Sequence, residues 1–161
     1  MPDTYGDLVG FKAWADERGH TYPVGSGADA EIEAALLRAT GFLDNSYRTQ
    51  WKGTKTSVVQ PLAWPRSGVR DEDRALLPDD EIPTVVIHAA YEATRRLLAG
   101  GDLEPDLERG GAVSRERVKA GPVEAETEYR NDASARTDIT SISGLLAGVL
   151  RSTSAVWLER V

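Results

Sequence analysis

The chain has 161 residues, a formal net charge of −7 and no cysteine. That length suits one domain with a real core, and the missing thiols exclude disulfides, thiolate metal sites and cysteine nucleophiles together. The acidic balance argues against autonomous binding to DNA phosphates or to an anionic membrane surface.

The N-terminus, Met1-Pro2-Asp3-Thr4-Tyr5-Gly6-Asp7, is acidic and lacks both parts of a signal peptide, and no apolar run reaches bilayer length. A cytoplasmic product is therefore expected. A first helix is predicted over about 7–18, with Leu8, Phe11 and Ala15 on one stripe and Trp14 beside it. Thr4 and Asp7 have the spacing of a capping box, and Gly19 supplies a stop. The second helix, about 30–47, is expected to be capped by Asp29, with Glu31 and Glu33 in its first turn. Ile32, Leu36, Ala39, Leu43 and Tyr47 recur at steps of three and four and make one apolar face.

Residues 51–81 break the pattern. Trp51, Gly53, Pro61, Trp64, Pro65, Gly68 and Pro78 leave no room for a helix, though Val58 and Val59 suit a short strand. An irregular stretch this long, with two of the four tryptophans, points to function or a partner. A third helix follows Ile82-Pro83 and runs over about 83–99 to Gly100-Gly101. Val86, Ala89, Ala93 and Leu97 form one stripe, with Ile87, Tyr91, Thr94 and Leu98 beside it, which marks a central helix. Period-two segments then flank Ala120-Gly121 and predict a hairpin over about 113–129. A turn at those two residues sets Arg117 opposite Glu124 and Arg115 opposite Glu126. A short helix over about 139–150 with Ile142, Leu145, Leu146 and Val149 on its face completes a domain of 1–150, and a tail of 151–161 carries Trp157 and Leu158. The fold class is mainly α: three to four helices around one core, a long irregular loop and a β-hairpin.

The motifs for chemistry are weak. Gly25-Ser26-Gly27-Ala28-Asp29-Ala30 spells the dinucleotide fingerprint, but no adequate strand precedes it and no βαβ unit follows. Asp71-Glu72-Asp73 and Asp79-Asp80-Glu81 lack the spacing of a calcium loop and are expected as solvated and helix-dipole charge. His20 and His88 are the only histidines, far apart in sequence, and suggest neither zinc site nor triad. Trp51 and Trp64 with Lys52, Lys55 and Arg66 have the interleaving of a single-strand binder, yet rings that pin the loop to the helices explain them more simply. No catalytic residue, metal or cofactor is expected.

An ordered set of segments resembles a family of tailed-phage proteins. Glu33-Ala34-Ala35-Leu36-Leu37-Arg38-Ala39-Thr40-Gly41-Phe42-Leu43-Asp44 is similar to its "AL-x-RAT-x-x-LD" helix. Trp51-Lys52-Gly53 and Gln60-Pro61-Leu62-Ala63-Trp64-Pro65-Arg66-Ser67-Gly68 resemble its signature loop, followed by Glu81-Ile82-Pro83, Arg109-Gly110-Gly111-Ala112-Val113 and Lys119-Ala120-Gly121-Pro122 in order. Members are often labelled DnaT-like single-stranded DNA-binding proteins, and the helical plan is similar to head–tail connector, or adaptor, proteins. The connector resemblance implies a ring of twelve copies between the portal protein and a tail-proximal connector or tail terminator. It places the chain in the virion neck, and in the host cytoplasm during assembly. DNA would pass through the lumen without specific binding, and no membrane is involved.

On this reading Trp51, Trp64, Pro65, Arg66, Arg115, Arg117, Glu124, Glu126, Trp157 and Leu158 meet neighbouring subunits or the portal. Trp64→Ala, or loss of 151–161, should then impair assembly more than folding. The alternative is a single-stranded DNA-binding accessory protein of replication.

Overall fold

The computed structural model describes residues 3–103, 113–119, 124–129 and 139–151. Helix α1 (Leu8–Glu17) starts where the Asp7 carboxylate accepts the Gly10 amide at 2.8 Å. The expected Thr4–Asp7 capping box does not form. Asp7 is itself the N-cap, and Thr4 Oγ1 turns to donate to the Gly6 carbonyl at 2.9 Å. Helix α2 (Ala28–Ser46) begins two residues earlier than expected. Its cap is Gly27 at φ 87°, a backbone state that glycine adopts freely. Asp29 therefore lies in the first turn, where its carboxylate meets Lys12 Nζ of α1 at 2.6 Å.

Helix α3 (Thr84–Leu98) follows Pro83 and packs against α1, α2 and α4 (Thr140–Leu146), which continues into a 3-10 turn at Ala147–Val149. Its central position matches the width of its apolar face: Val86, Ala89, Ala90, Tyr91, Ala93 and Thr94 are all buried. All five stripe residues of α2 are buried as well. The α4 face is narrower than its sequence suggests, because Leu145 is exposed while Ile142 and Leu146 are buried.

Where α1 crosses α3, the Tyr91 ring covers the backbone of Gly6 and Gly10, and its hydroxyl oxygen accepts the Asp7 amide at 3.3 Å. A Cβ at Gly10 would overlap that hydroxyl oxygen.

Residues 51–81 are irregular but ordered. Two-residue strands β1 (Thr54–Lys55) and β2 (Arg66–Ser67) pair antiparallel, Thr54 with Ser67 and Lys55 with Arg66. Val58 and Val59 are not in a strand. They occupy the turn between β1 and β2, where Gln60 holds the backbone by hydrogen bonds that outweigh the β-propensity of the two valines.

The chain divides into two compact units, Met1–Leu103 with Ile139–Val161, and Glu104–Asp138. In the second, β3 (Val113–Lys119) and β4 (Glu124–Tyr129) form the expected antiparallel pair, but the register differs by two residues. Arg117 stands opposite Glu126 and Arg115 opposite Glu128, with a bulge between Val113 and Arg115. Within the described residues the pairing runs from Lys119 opposite Glu124 to Val113 opposite Tyr129. From Arg115 to Lys119 the shift is by two residues, which preserves the parity of the pairing, and at the bulge Val113 is displaced by one.

Candidate functional site

The signature loop is built on one half-buried carboxylate. Asp44, at the end of the α2 motif, accepts the Tyr5 hydroxyl on Oδ1 and the Ala63 amide on Oδ2 at 2.9 Å. The Trp64 amide donates to Tyr5 Oη at 3.3 Å, so the N-terminal segment, α2 and the loop meet at a single point. Burial raises the pKa of Asp44 against the opposing pull of these two bonds. Burial, then the Asp44 charge, also pushes the Tyr5 phenol up.

Gln60 closes the loop from inside. Its Oε1 accepts Thr56 Oγ1 at 3.0 Å and the Ser57 amide at 2.9 Å, and its Nε2 donates to the Leu62 and Pro65 carbonyls at 3.0 Å each. All four lone-pair and proton positions of the amide are used. The Trp64–Pro65 peptide bond is cis. Arg66 spans the gap beneath: Nε donates to the Lys52 carbonyl at 2.7 Å, Nη2 to Gly53 at 2.8 Å and Nη1 to Ala63 at 3.2 Å. Gly53, at φ 66°, brings its backbone against the Ser67 carbonyl, where a Cβ would overlap the oxygen.

This geometry corrects the assignment of the two loop tryptophans. Trp51 and Trp64 are each 1% exposed within the chain's own core, edge to face with centroids 5.8 Å apart. Neither ring offers a face to a neighbouring subunit, or to a stacked base. Pro65 and Arg66 are half-buried, and Arg66 serves three backbone carbonyls. The indole Nε1 atoms of Trp51 and Trp64 are buried without a hydrogen-bond partner among the described residues. The C-terminal segment seals this region. Trp51 bridges Leu150, the Lys52 amide donates to Val149 at 3.0 Å, the Arg151 amide donates to Gln50 at 2.7 Å, and Lys52 Nζ reaches the Gly148 carbonyl at 2.7 Å.

Two surface features stand out once the loop is in place. The first is its tip, where Val58 is 99% and Val59 84% exposed. The second is a groove of about 540 Å³ between residues 71–85 and the α4 region. Ile82, Val85 and Leu145 are among its apolar residues, and Asp71, Glu72 and Glu81 among its acidic ones. The acidic side is a formed structure. Asp71 Oδ1 accepts the Ala75 amide at 2.8 Å, Arg70 pairs with Leu76, and Leu77 donates to Val69 at 2.9 Å.

Charge divides along the same boundary. Residues 45–70 carry five cations and no carboxylate, whereas residues 71–81 carry six carboxylates and one arginine. The cluster signals were legible as letters but not as one feature, because the groove closes only when α4 returns.

The remaining candidates resolve simply. Gly25 and Gly27 form the turn that starts α2. His20 and His88 both pack on Trp14, with ring centroids 5.3 and 6.5 Å away, and burial, then the charge of Arg18, lowers the His88 pKa. Among the described residues no group of three or more His, Cys, Asp or Glu is placed to hold a metal, and no helix is long and apolar enough to cross a membrane. For Arg115, Arg117, Glu124 and Glu126 the structure gives the register above, and Trp157 and Leu158 lie outside the described residues.

The family model for "putative DnaT-like ssDNA binding protein" matches residues 2–161, nearly the whole chain. The chain belongs to this family. The family description names a binding protein rather than a catalyst. No curated protein and no solved structure matches the chain. Within the family fold seen here, the conspicuous loop is internal scaffolding, and what it presents outward is a valine pair beside a basic block.

Proposed function

We propose that this chain is a structural connector subunit of a tailed phage, one member of a homo-oligomeric ring that joins the portal to the tail and lets DNA pass. The observation that carries this reading is the presence on one molecule of an exposed apolar tip, Val58–Val59, within a basic segment, and of an acidic, apolar groove. One surface that complements a different surface of an identical copy is what a cyclic ring requires. The buried tryptophans support it from the other side, since the best stacking rings of the loop are closed to nucleobases. The overall charge of −7 suits a lumen through which DNA slides without sticking.

On this reading the partners are further copies of the chain, the portal protein and a tail-proximal connector or tail terminator. The place of work is the virion neck, after assembly in the host cytoplasm. Native mass spectrometry of the chain with the portal protein, and imaging of tagged particles, test it. A ring on the portal is expected, and particles whose necks lack the chain refute it.

The second reading, a single-stranded DNA-binding accessory protein of replication, is the one the family description favours. It draws on the exposed Arg48 and Lys55 of the basic block. Oligonucleotide titration of the isolated chain separates the two. Tight binding that falls steeply with salt carries this second reading, and absence of binding at low salt removes it.

A further inference from the structure

The eight large apolar side chains that stand exposed among the described residues are not scattered evenly. Val58 and Val59 are adjacent at the loop tip, and Val85 and Leu145 both line the groove. A fully exposed valine pair on a mobile loop would mean little. Here the tip is fixed from both sides. Gln60 bonds to Thr56, Ser57, Leu62 and Pro65, and the Ser57 hydroxyl accepts the Val59 amide at 3.4 Å. A pre-formed apolar projection loses little conformational freedom on docking.

The groove is its counterpart in shape and in sign. It is concave, apolar at Ile82, Val85 and Leu145, and acidic at Asp71, Glu72 and Glu81. Of the five cations in residues 45–70, Lys52 and Arg66 are engaged by backbone carbonyls of their own chain, whereas Arg48, Lys55 and Arg70 are exposed, and Lys55 stands closest in sequence to the tip. The Glu72 side chain lies against Gly148, and both residues line the groove.

We propose that the Val58–Val59 tip of one copy seats in the acidic groove of a second copy, with Lys55 facing the carboxylates. The occupant is a second copy because the basic apolar projection that the groove calls for stands on the same chain. The contact uses two different surfaces, so each copy keeps a free tip or a free groove for the next. It rests on the connector reading and gives that reading its subunit-to-subunit contact.

The absence of native cysteine makes a proximity test clean. Val59→Cys is prepared in one copy and Leu145→Cys in another that carries a size tag. Both positions are exposed, so neither change disturbs the core. The two copies are mixed, mildly oxidised and run on a non-reducing gel. A disulfide-linked heterodimer is expected, forming much faster than with Val24→Cys, an exposed site away from the tip, in place of Val59→Cys. Adding Val58→Asp to the Val59→Cys copy is expected to slow capture by about tenfold or more, the loss that follows from one unburied valine. Glu72→Lys in the other copy slows it too, and raised salt acts in the same direction.

Capture no faster than the Val24→Cys control overturns the proposal, as does capture indifferent to Val58→Asp. If the link is absent while the chain still occupies the particle neck, the contact is wrong and the connector reading stands. If the link forms in a chain that particles lack, the connector reading is wrong and the contact stands.

Discussion

Trp64→Ala separates an internal tryptophan from an interfacial one. The side chain is 1% exposed, packs edge to face on Trp51, and belongs to the core cluster shared with Tyr5, Leu43 and Val69. Burying an indole removes about 150–250 Å² from water, which at about 25 cal/mol per Å² corresponds to about 4–6 kcal/mol. Truncation of buried aromatics to alanine costs about 3–5 kcal/mol in practice. For a domain whose whole stability is about 5–15 kcal/mol, that is a large share. Part of it is returned, because the substitution also removes a buried indole N–H that has no partner among the described residues.

The variant is therefore expected to unfold at a much lower urea concentration than the parent when followed by circular dichroism at 222 nm. Its melting point should fall by about 6–20 °C for a chain of this length. Trp64→Phe should recover much of the loss. A Trp64→Ala chain with an unchanged midpoint that fails only to assemble would refute the core assignment and return the ring to an interface.

Asp44→Ala leaves the Tyr5 hydroxyl and the Ala63 amide without an acceptor and should cost about 2–4 kcal/mol in urea unfolding. Asp44→Asn, which keeps one carbonyl oxygen, should cost less. Gly10→Ala and Gly53→Ala should each lower stability by about 1–3 kcal/mol, the first by forcing Tyr91 aside and the second by clash with Ser67 at a positive φ. A Gly41→Ala control, at an exposed helical site with open space, should be neutral or slightly stabilising by thermal melt.

The acid limb of stability should also be dissectible. Hydrogen bonds from Arg95, with help from Arg96, hold the Glu92 carboxyl below its ordinary value. The unfolded chain therefore binds that proton first as pH falls, and the contribution present above the unfolded pKa is lost on passing through the folded one. Asp44 acts in the opposite sense, since its raised pKa makes the native state bind the proton first. Glu92→Gln should flatten the loss of stability in acid and Asp44→Asn should steepen it, both read from urea midpoints across an acid pH series.

Local periodicity carried the helices well. The α2 stripe from Ile32 to Tyr47 is buried as its spacing implies, and the double stripe on α3 matches its place against three other helices. The caps were read a few residues astray, because Asp7 and Gly27 took roles that Thr4 and Asp29 could equally have filled on paper. The loop was harder for a physical reason. Its fixing contacts join Tyr5 to Asp44 across 39 residues and Lys52 to Gly148 across 96, and no local pattern encodes such distances.

An isolated tryptophan in a polar stretch signals burial but not the surface that buries it. That is how Trp51 and Trp64 were placed against neighbours when their own chain encloses them. The terminal Asp44 of the helix motif was the missed signal. A carboxylate on the inner edge of an otherwise apolar face needs donors, and the loop supplies one. The hairpin was legible as an element, but its register was not, because nothing in the strand alternation itself separates one pairing from another shifted by two residues.

The return of residues 139–151 to stitch against Gln50–Lys52 also bears on how the molecule is made. A nascent chain emerging from the ribosome holds α1, α2 and α3 long before the segment that covers Trp51 has been synthesised. Until that segment emerges, the indole and the apolar flank of α3 remain uncovered, a state that invites chaperone capture or mispairing with a sister chain. The whole ribbon-bearing stretch is translated within that interval, so shortening it should narrow the window of vulnerability and raise soluble yield at a given rate of synthesis.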